Sequence, residues 1–232
     1  MSSTRHSPAS SALRRFAWVL CCAGVLSWWI AGVAAPDFDR MQRLAVERYG
    51  QRAGETVTAW RALLAEAAET DERTRLERVN TFFNRRIAFD DDIVVWGEQD
   101  YWATPLETMG KGAGDCEDFS IAKYMSLLQL GVPAERLRMI YVRARIGGPQ
   151  STISQAHMVV GYYATPDAEP LILDNLIGEI RPASRRGDLF PVFSFNSEGL
   201  WVGGASTSSA DPTTRLSRWR DVLERMRAEG LR

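Results

Sequence analysis

The 232-residue chain is poor in cysteine and histidine and has no basic surface run. Of its three cysteines, two lie in an apolar N-terminal segment, so the rest of the chain holds one thiol and cannot form an internal disulfide. Residues 1–35 carry three arginines and no acid, which leaves 25 basic side chains against 29 acidic ones in the remainder. A mildly acidic body without basic clusters argues against nucleic acid as a partner. No internal repeat is visible, and a 45% apolar, 25% charged composition excludes a fibrous or wholly disordered chain.

The N-terminus has the layout of an export signal. Residues 16–33 are apolar or small throughout, follow Arg14 and Arg15, and run into Ala34-Ala35-Pro36. We therefore expect residues 1–35 to be a signal peptide that directs export of the body of the protein. Because about 18 apolar residues approach the length of a membrane span, an uncleaved inner-membrane anchor is a second interpretation.

Hydrophobic periodicity divides the body into helices followed by strands. Apolar residues recur at helical spacing in residues 37–49, 55–69, 72–86 and 116–130. They alternate or run continuously, as in strands, in residues 138–146, 157–164 and 171–176. This order predicts an α+β fold with N-terminal helices packed on a mostly antiparallel sheet. Residues 36–202 should form this domain, and residues 203–232 a Gly/Ser-rich link and an amphipathic helix.

Residues 87–114 lose the helical period. This stretch is rich in tryptophan and aspartate and contains proline and glycine, so it is predicted to be a long connection between the third and fourth helices. Long connections in compact domains are more often functional than idle. It leads directly to the one cysteine of the body.

Cys116 is a candidate nucleophile. It should lie in the first turn of a helix capped by Asp115, where unpaired amides and the helix dipole favour a thiolate. A single cysteine in an exported protein is also compatible with a buried, inert role. Its polar neighbours, however, favour the chemical interpretation.

His157 and Asp174 are candidate partners of this thiol. His157 is the one histidine beyond the N-terminal segment and begins a predicted strand, from which it could act as base and then acid. Asp174 lies on the next predicted strand, so that a hairpin would bring it beside His157 to orient the imidazole. Cysteine on a helix, then histidine and aspartate on strands, is the order of a papain-like or transglutaminase-like core.

Three acids flank the candidate nucleophile. Asp115, Glu117 and Asp118 stand at the predicted helix start, where carboxylates serve first of all as caps. Their charges should also raise the pKa of the thiol by repulsion. A bound calcium ion would neutralise them, and carboxylate oxygens are suitable ligands for it. Helix capping alone and a calcium site both remain open at this point.

Several motifs resemble those of the bacterial transglutaminase-like cysteine proteinases, specifically the LapG-type periplasmic proteases. The motifs are Asp100-Tyr101-Trp102-Ala103-Thr104-Pro105, Gly114-Asp115-Cys116-Glu117-Asp118-Phe119-Ser120-Ile121-Ala122-Lys123-Tyr124, Ala156-His157-Met158-Val159 and Leu173-Asp174-Asn175. The resemblance implies a calcium-dependent endopeptidase with Cys116, His157 and Asp174 as its triad. It also implies Asp115 and Glu117, with Asp118, as calcium ligands.

The same resemblance implies a biological role. Such enzymes cleave the N-terminal region of a large surface adhesin, which releases it and disperses the biofilm. A LapD-like inner-membrane receptor for cyclic di-GMP sequesters them by engaging an exposed tryptophan, for which Trp102 is the candidate here. Two other functions stay open: a transglutaminase that passes the acyl group to an amine, and a non-catalytic calcium-dependent binding module.

Overall fold

The computed structural model describes residues 35–203, 205 and 207–231. The predicted signal peptide, apart from Ala35, lies outside the described residues. Within them, no helix is both long and apolar enough to span a bilayer.

Three helices open the described chain where the periodicity predicts them. They are α1 (Phe38–Tyr49), α2 (Gln51–Ala68) and α3 (Glu72–Arg86). Helix α2 begins four residues before its predicted start, because Gly50 with φ of 86° turns the chain directly from one helix into the next. The first turn of α2 packs closely on α1, and a Cβ added to Gly54 would lie 2.5 Å from Val46 Cγ2.

The predicted connection between α3 and the cysteine-bearing helix contains four short elements. They are β1 (Ala88–Phe89), α4 (Asp92–Val95), α5 (Pro105–Lys111) and β2 (Ala113–Gly114), and the two strands pair in parallel. Helix α5 is too short for a visible hydrophobic period. It is fixed instead by a capping box, in which Thr104 and Glu107 each accept a hydrogen bond from the other's backbone N–H.

Helix α6 (Cys116–Gln129) precedes a six-stranded sheet. The strands are β3 (Leu137–Arg145), β4 (Ser154–Tyr162), β5 (Leu171–Leu173), β6 (Arg181–Pro182), β7 (Leu189–Phe195) and β8 (Leu200–Val202). Their spatial order is β6-β5-β4-β3-β7-β8, and every neighbouring pair is antiparallel. The α+β prediction is therefore confirmed.

The helices and one face of the sheet enclose the main core. Its largest fully buried side chains include Trp60, Tyr124 and Trp219. Trp219 belongs to α8 (Ser217–Glu229), which follows the short helix α7 (Pro212–Arg215). The predicted C-terminal amphipathic helix thus packs into the same core as the rest of the body. On the other face of the sheet, a smaller apolar cluster forms around Ile140, Val142, Ala144, Val159 and Ile172.

Candidate active site

Cys116 is the first residue of α6 and lies against an open edge of the sheet. Asp115 caps the helix by accepting a hydrogen bond of 3.2 Å from the Glu117 amide. Strand β5 pairs with β4 only over residues 160–162 of β4, so the preceding part of β4 is free on that side. The backbone amide of Met158, the residue directly after His157, lies close enough to the Cys116 thiol to lower its pKa.

His157 and Asp174 meet as the predicted hairpin requires. His157 Nε2 lies 2.8 Å from Asp174 Oδ1, and each residue is 1% exposed. Asp174 follows the last residue of β5, which ends earlier than predicted because the Asp174 side chain accepts a hydrogen bond from the Leu176 amide and turns the chain. An ionised carboxylate only accepts hydrogen bonds, so Nε2 carries the proton and Nδ1 is the nitrogen left as a base.

The surroundings of Asp174 hold it in its ionised form. Burial alone would raise its pKa, but the hydrogen bond and charge of His157, the Leu176 amide and the guanidinium of Arg186 together lower it to about 2. Asn84 fixes the backbone at the same point, since its Nδ2 donates to the Asp174 carbonyl over 2.7 Å. The carboxylate is therefore charged throughout the physiological pH range.

Arg186 is a site residue that the sequence did not indicate. It is 2% exposed, and its Nη2 lies 2.7 Å from Asp174 Oδ2 and 2.7 Å from Asp188 Oδ2. Its Nε donates to Asp188 Oδ1 over 3.0 Å. In the sequence, only the nearby Asp188 indicates an ion pair for Arg186, and it does not indicate that the arginine also reaches Asp174.

The acids beside the thiol form two overlapping clusters. Carboxylate oxygens of Asp92, Asp115 and Asp118 lie within 4.8 Å of one another, and so do ligand atoms of Asp115, Cys116 and Glu117. Of the predicted calcium ligands, Asp115 and Asp118 are therefore brought together directly. Glu117 lies beside the thiol, whose Sγ donates to its Oε2 over 2.8 Å. Asp92 was missed; it belongs to the aspartate run of the predicted connection.

This geometry suits a hard cation. Asp92 Oδ1 and Asp118 Oδ2 are buried and have no hydrogen-bond partner among the residues described. The other oxygen of each accepts a backbone N–H, from Tyr101 to Asp92 and from Ala103 to Asp118. Two buried, unsatisfied carboxylate oxygens beside a third carboxylate form an oxygen-ligand set of the kind that calcium takes.

Burial and mutual repulsion make the cluster costly without a positive charge. Burial, followed by the charge of Glu117, raises the pKa of Asp115 to about 9. Burial is also the main cause that raises the pKa of Asp118 to about 8 and of Asp92 to about 6. Gly114 permits the arrangement, because a Cβ there would lie 2.4 Å from Asp118 Oδ2.

The same acids counteract the helix dipole at the thiol. Burial first, and then the charge and hydrogen bond of Glu117, raise the pKa of Cys116, whereas the Met158 amide lowers it. The helix start alone therefore does not activate the thiol. A cation held by the carboxylates would remove the repulsive part of this effect.

Trp102 does not have the exposure expected of it, and that expectation is wrong. The side chain is 8% exposed, and its ring stacks on Phe195 with centroids 5.7 Å apart. Its carbonyl accepts a hydrogen bond of 2.5 Å from Nη2 of Arg225 on α8. Arg225 also donates to the Tyr101 hydroxyl over 2.9 Å and pairs with Glu107. The loop is thus held between α8 on one side and the acidic cluster on the other.

Comparison with known proteins identifies the family to which the chain is similar. Residues 46–202 match the model of the bacterial transglutaminase-like cysteine proteinases, BTLCP. The EGTA-treated structure of LapG from Legionella pneumophila is 39% identical, with a TM-score of 0.71 over 83% of this chain and 100% of that one. The calcium-bound structure of that LapG is 40% identical, with a TM-score of 0.68 over 82% of this chain and 98% of that one.

No curated protein has significant sequence similarity to the chain. The family model nevertheless covers more than half of the chain, and the LapG structures confirm the predicted transglutaminase-like fold. The chain belongs to the family of bacterial transglutaminase-like cysteine proteinases.

Proposed function

We propose that the protein is a calcium-dependent thiol endopeptidase with Cys116, His157 and Asp174 as its catalytic triad. The observation that carries this proposal is the 2.8 Å contact between His157 Nε2 and Asp174 Oδ1, in a chain whose one described thiol is at the start of a helix. The Met158 amide, next to His157 in the chain, lowers the pKa of the Cys116 thiol, which supports a position of the thiol near the histidine and the aspartate. Membership of a cysteine proteinase family supports the same assignment.

Each member of the triad has one task. Asp174 holds the proton on His157 Nε2, so that Nδ1 can accept the proton of the Cys116 thiol. The thiolate attacks a peptide carbonyl, and the imidazolium returns its proton to the leaving amine as the carbon–nitrogen bond breaks. Water, deprotonated by His157, then hydrolyses the acyl-enzyme and restores the thiol. The backbone amide of Cys116 is a suitable donor to the oxyanion.

Asp92, Asp115 and Asp118 are the proposed calcium ligands, with Glu117 at the edge of the site. Calcium held by these residues would supply positive charge near the nucleophile and would stabilise the loop that carries Tyr101 and Ala103. The unsatisfied oxygens of Asp92 and Asp118 support this assignment, as does the existence of a calcium-bound form of Legionella LapG.

The substrate, location and receptor extend this proposal beyond the site. We propose that the enzyme acts in the periplasm on the N-terminal region of a large surface adhesin, whose release disperses the biofilm. A LapD-like inner-membrane receptor for cyclic di-GMP would control its access to the adhesin. A receptor contact at Trp102 stays a prediction, and with an 8% exposed side chain it requires the loop to open.

One experiment tests the catalytic proposal directly. The purified protein is incubated with the N-terminal region of a candidate adhesin, with calcium or with EGTA, and the products are analysed by mass spectrometry. Hydrolysed fragments are expected only with calcium, and Cys116→Ala should give none while keeping the wild-type circular dichroism spectrum. Ser120→Ala, on the same helix, is the matched control and should cleave. Crosslinked products would instead indicate a transglutaminase, and binding without any product a non-catalytic module.

A further inference from the structure

A cavity lies on the face of the sheet opposite the main core. Its volume is about 520 Å³, within the range of ~300–1,000 Å³ typical of small-molecule sites. The floor is the smaller apolar cluster, to which Ile140, Val159 and Ile172 contribute side chains. None of the triad or candidate calcium residues lines it.

Two buried arginines line this apolar cavity and have unused donors. Arg138 on β3 is 8% exposed, and its Nε has no hydrogen-bond partner in the described part of the chain. Arg186 is 2% exposed, and its Nη1 likewise has no partner there. A buried guanidinium N–H without an acceptor costs free energy, and both arginines therefore keep donor capacity that the residues around the cavity leave unused.

The charge of Arg138 is not balanced by an acid. Its guanidinium lies 3.9 Å from the Trp201 ring centroid and 4.7 Å from that of Tyr163. Within residues 35–203, 205 and 207–231, no carboxylate forms an ion pair with it. Asp167 also lines the cavity, but it is exposed and makes no ion pair with either arginine in this part of the chain. The cavity therefore combines an apolar floor with one arginine charge, that of Arg138, that no carboxylate in the described part of the chain pairs with, whereas Arg186 is paired with Asp174 and Asp188.

We propose that this cavity binds an organic monoanion with an apolar tail, of which a medium-chain fatty acid is the matching class. The carboxylate pairs with the guanidinium of Arg138, whose charge no acid balances, and the tail covers the apolar floor. Charge and polarity thus complement each other at both ends of the ligand. Through Arg186, which also holds Asp174, the ligand would lie one side chain away from the proposed triad. The binding claim itself does not depend on the proposed proteolysis.

Calorimetric titration of the purified protein with decanoate tests this proposal. Saturable binding is expected at or below about 1 mM. Decylamine, which has the same tail and the opposite charge, and acetate, which lacks the tail, should both bind at least about tenfold more weakly. Absence of saturable decanoate binding, or equal binding of decylamine, would overturn the proposal.

Variants locate the site. Arg138→Gln should weaken decanoate binding about tenfold or more, because it removes the unbalanced charge. Arg143→Gln is the matched control: Arg143 lies on the same strand, is exposed and does not line the cavity. Ala168→Trp fills the cavity from a surface loop and should abolish binding with Arg138 intact. Wild-type affinity in Ala168→Trp, or equal losses in the two arginine variants, would show that decanoate binds elsewhere.

Discussion

Arg186 should control both the stability of the protein and its dependence on pH. Replacement by methionine keeps much of the side-chain volume but removes the donors to Asp174 and Asp188. Asp174 is left buried with His157 and the Leu176 amide as partners. Removing one partner of a buried ion pair costs ~3–5 kcal/mol, and the remaining partners place the expected loss of unfolding free energy at about 3 kcal/mol at pH 7.

The pH dependence follows from the lowered pKa of Asp174. Its folded-state pKa of about 2, against 3.8 for a free carboxyl, corresponds to about 2.5 kcal/mol of stability. Because the pKa is lower in the folded state, this stability is present above pH 3.8 and is lost as the pH falls towards 2. Asp188 contributes in the same direction, since the Arg186 hydrogen bond lowers its pKa. The difference between wild type and Arg186→Met should therefore shrink as the pH falls below 4.

Urea denaturation at pH 7, 5, 4 and 3 measures this difference. Arg185→Met is the matched control, because Arg185 is the exposed neighbour, and it should stay within about 0.5 kcal/mol of wild type. A loss below about 1 kcal/mol at pH 7, or a loss that does not change with pH, would refute the assigned role of the Arg186 contacts.

Three further predictions concern the acidic cluster and the loop above it. Asp92→Asn removes one of three clustered carboxylates and should reduce the rise in Tm that calcium causes, whereas Asp91→Asn should keep it; equal responses would exclude Asp92 as a ligand. Gly114→Ala should displace Asp118 and likewise reduce the calcium response; an unchanged response would show that the cluster tolerates the added Cβ. Arg225→Met should lower the unfolding free energy in urea by about 1–3 kcal/mol through loss of its loop contacts. Arg227→Met, at an exposed position of the same helix, should change the unfolding free energy by less than about 0.5 kcal/mol. Similar values for both variants would contradict the stabilising role of the Arg225 contacts.

The sequence predicted those parts of the site that short stretches of chain determine. The positions of Asp115 and Cys116 at a helix start were predictable, because a side-chain cap depends on residues within one turn. The contact between His157 and Asp174 was predictable from two neighbouring strands, because their antiparallel pairing fixes which residues face each other. The helices α1 and α3 were predictable for the same reason, as was the antiparallel pairing of β3 with β4 and of β4 with β5.

Tertiary structure alone decided the contacts between distant segments. Asp92 joins the acidic cluster because β1 and β2 pair and bring its loop to the start of α6. Trp102 is buried against Phe195, and Arg225, more than a hundred residues away, holds its carbonyl. Arg186 reaches Asp174 from beyond β6. Periodicity and local motifs describe how one element forms, whereas these partners depend on which surfaces the packed core brings together, and that is a property of the whole fold.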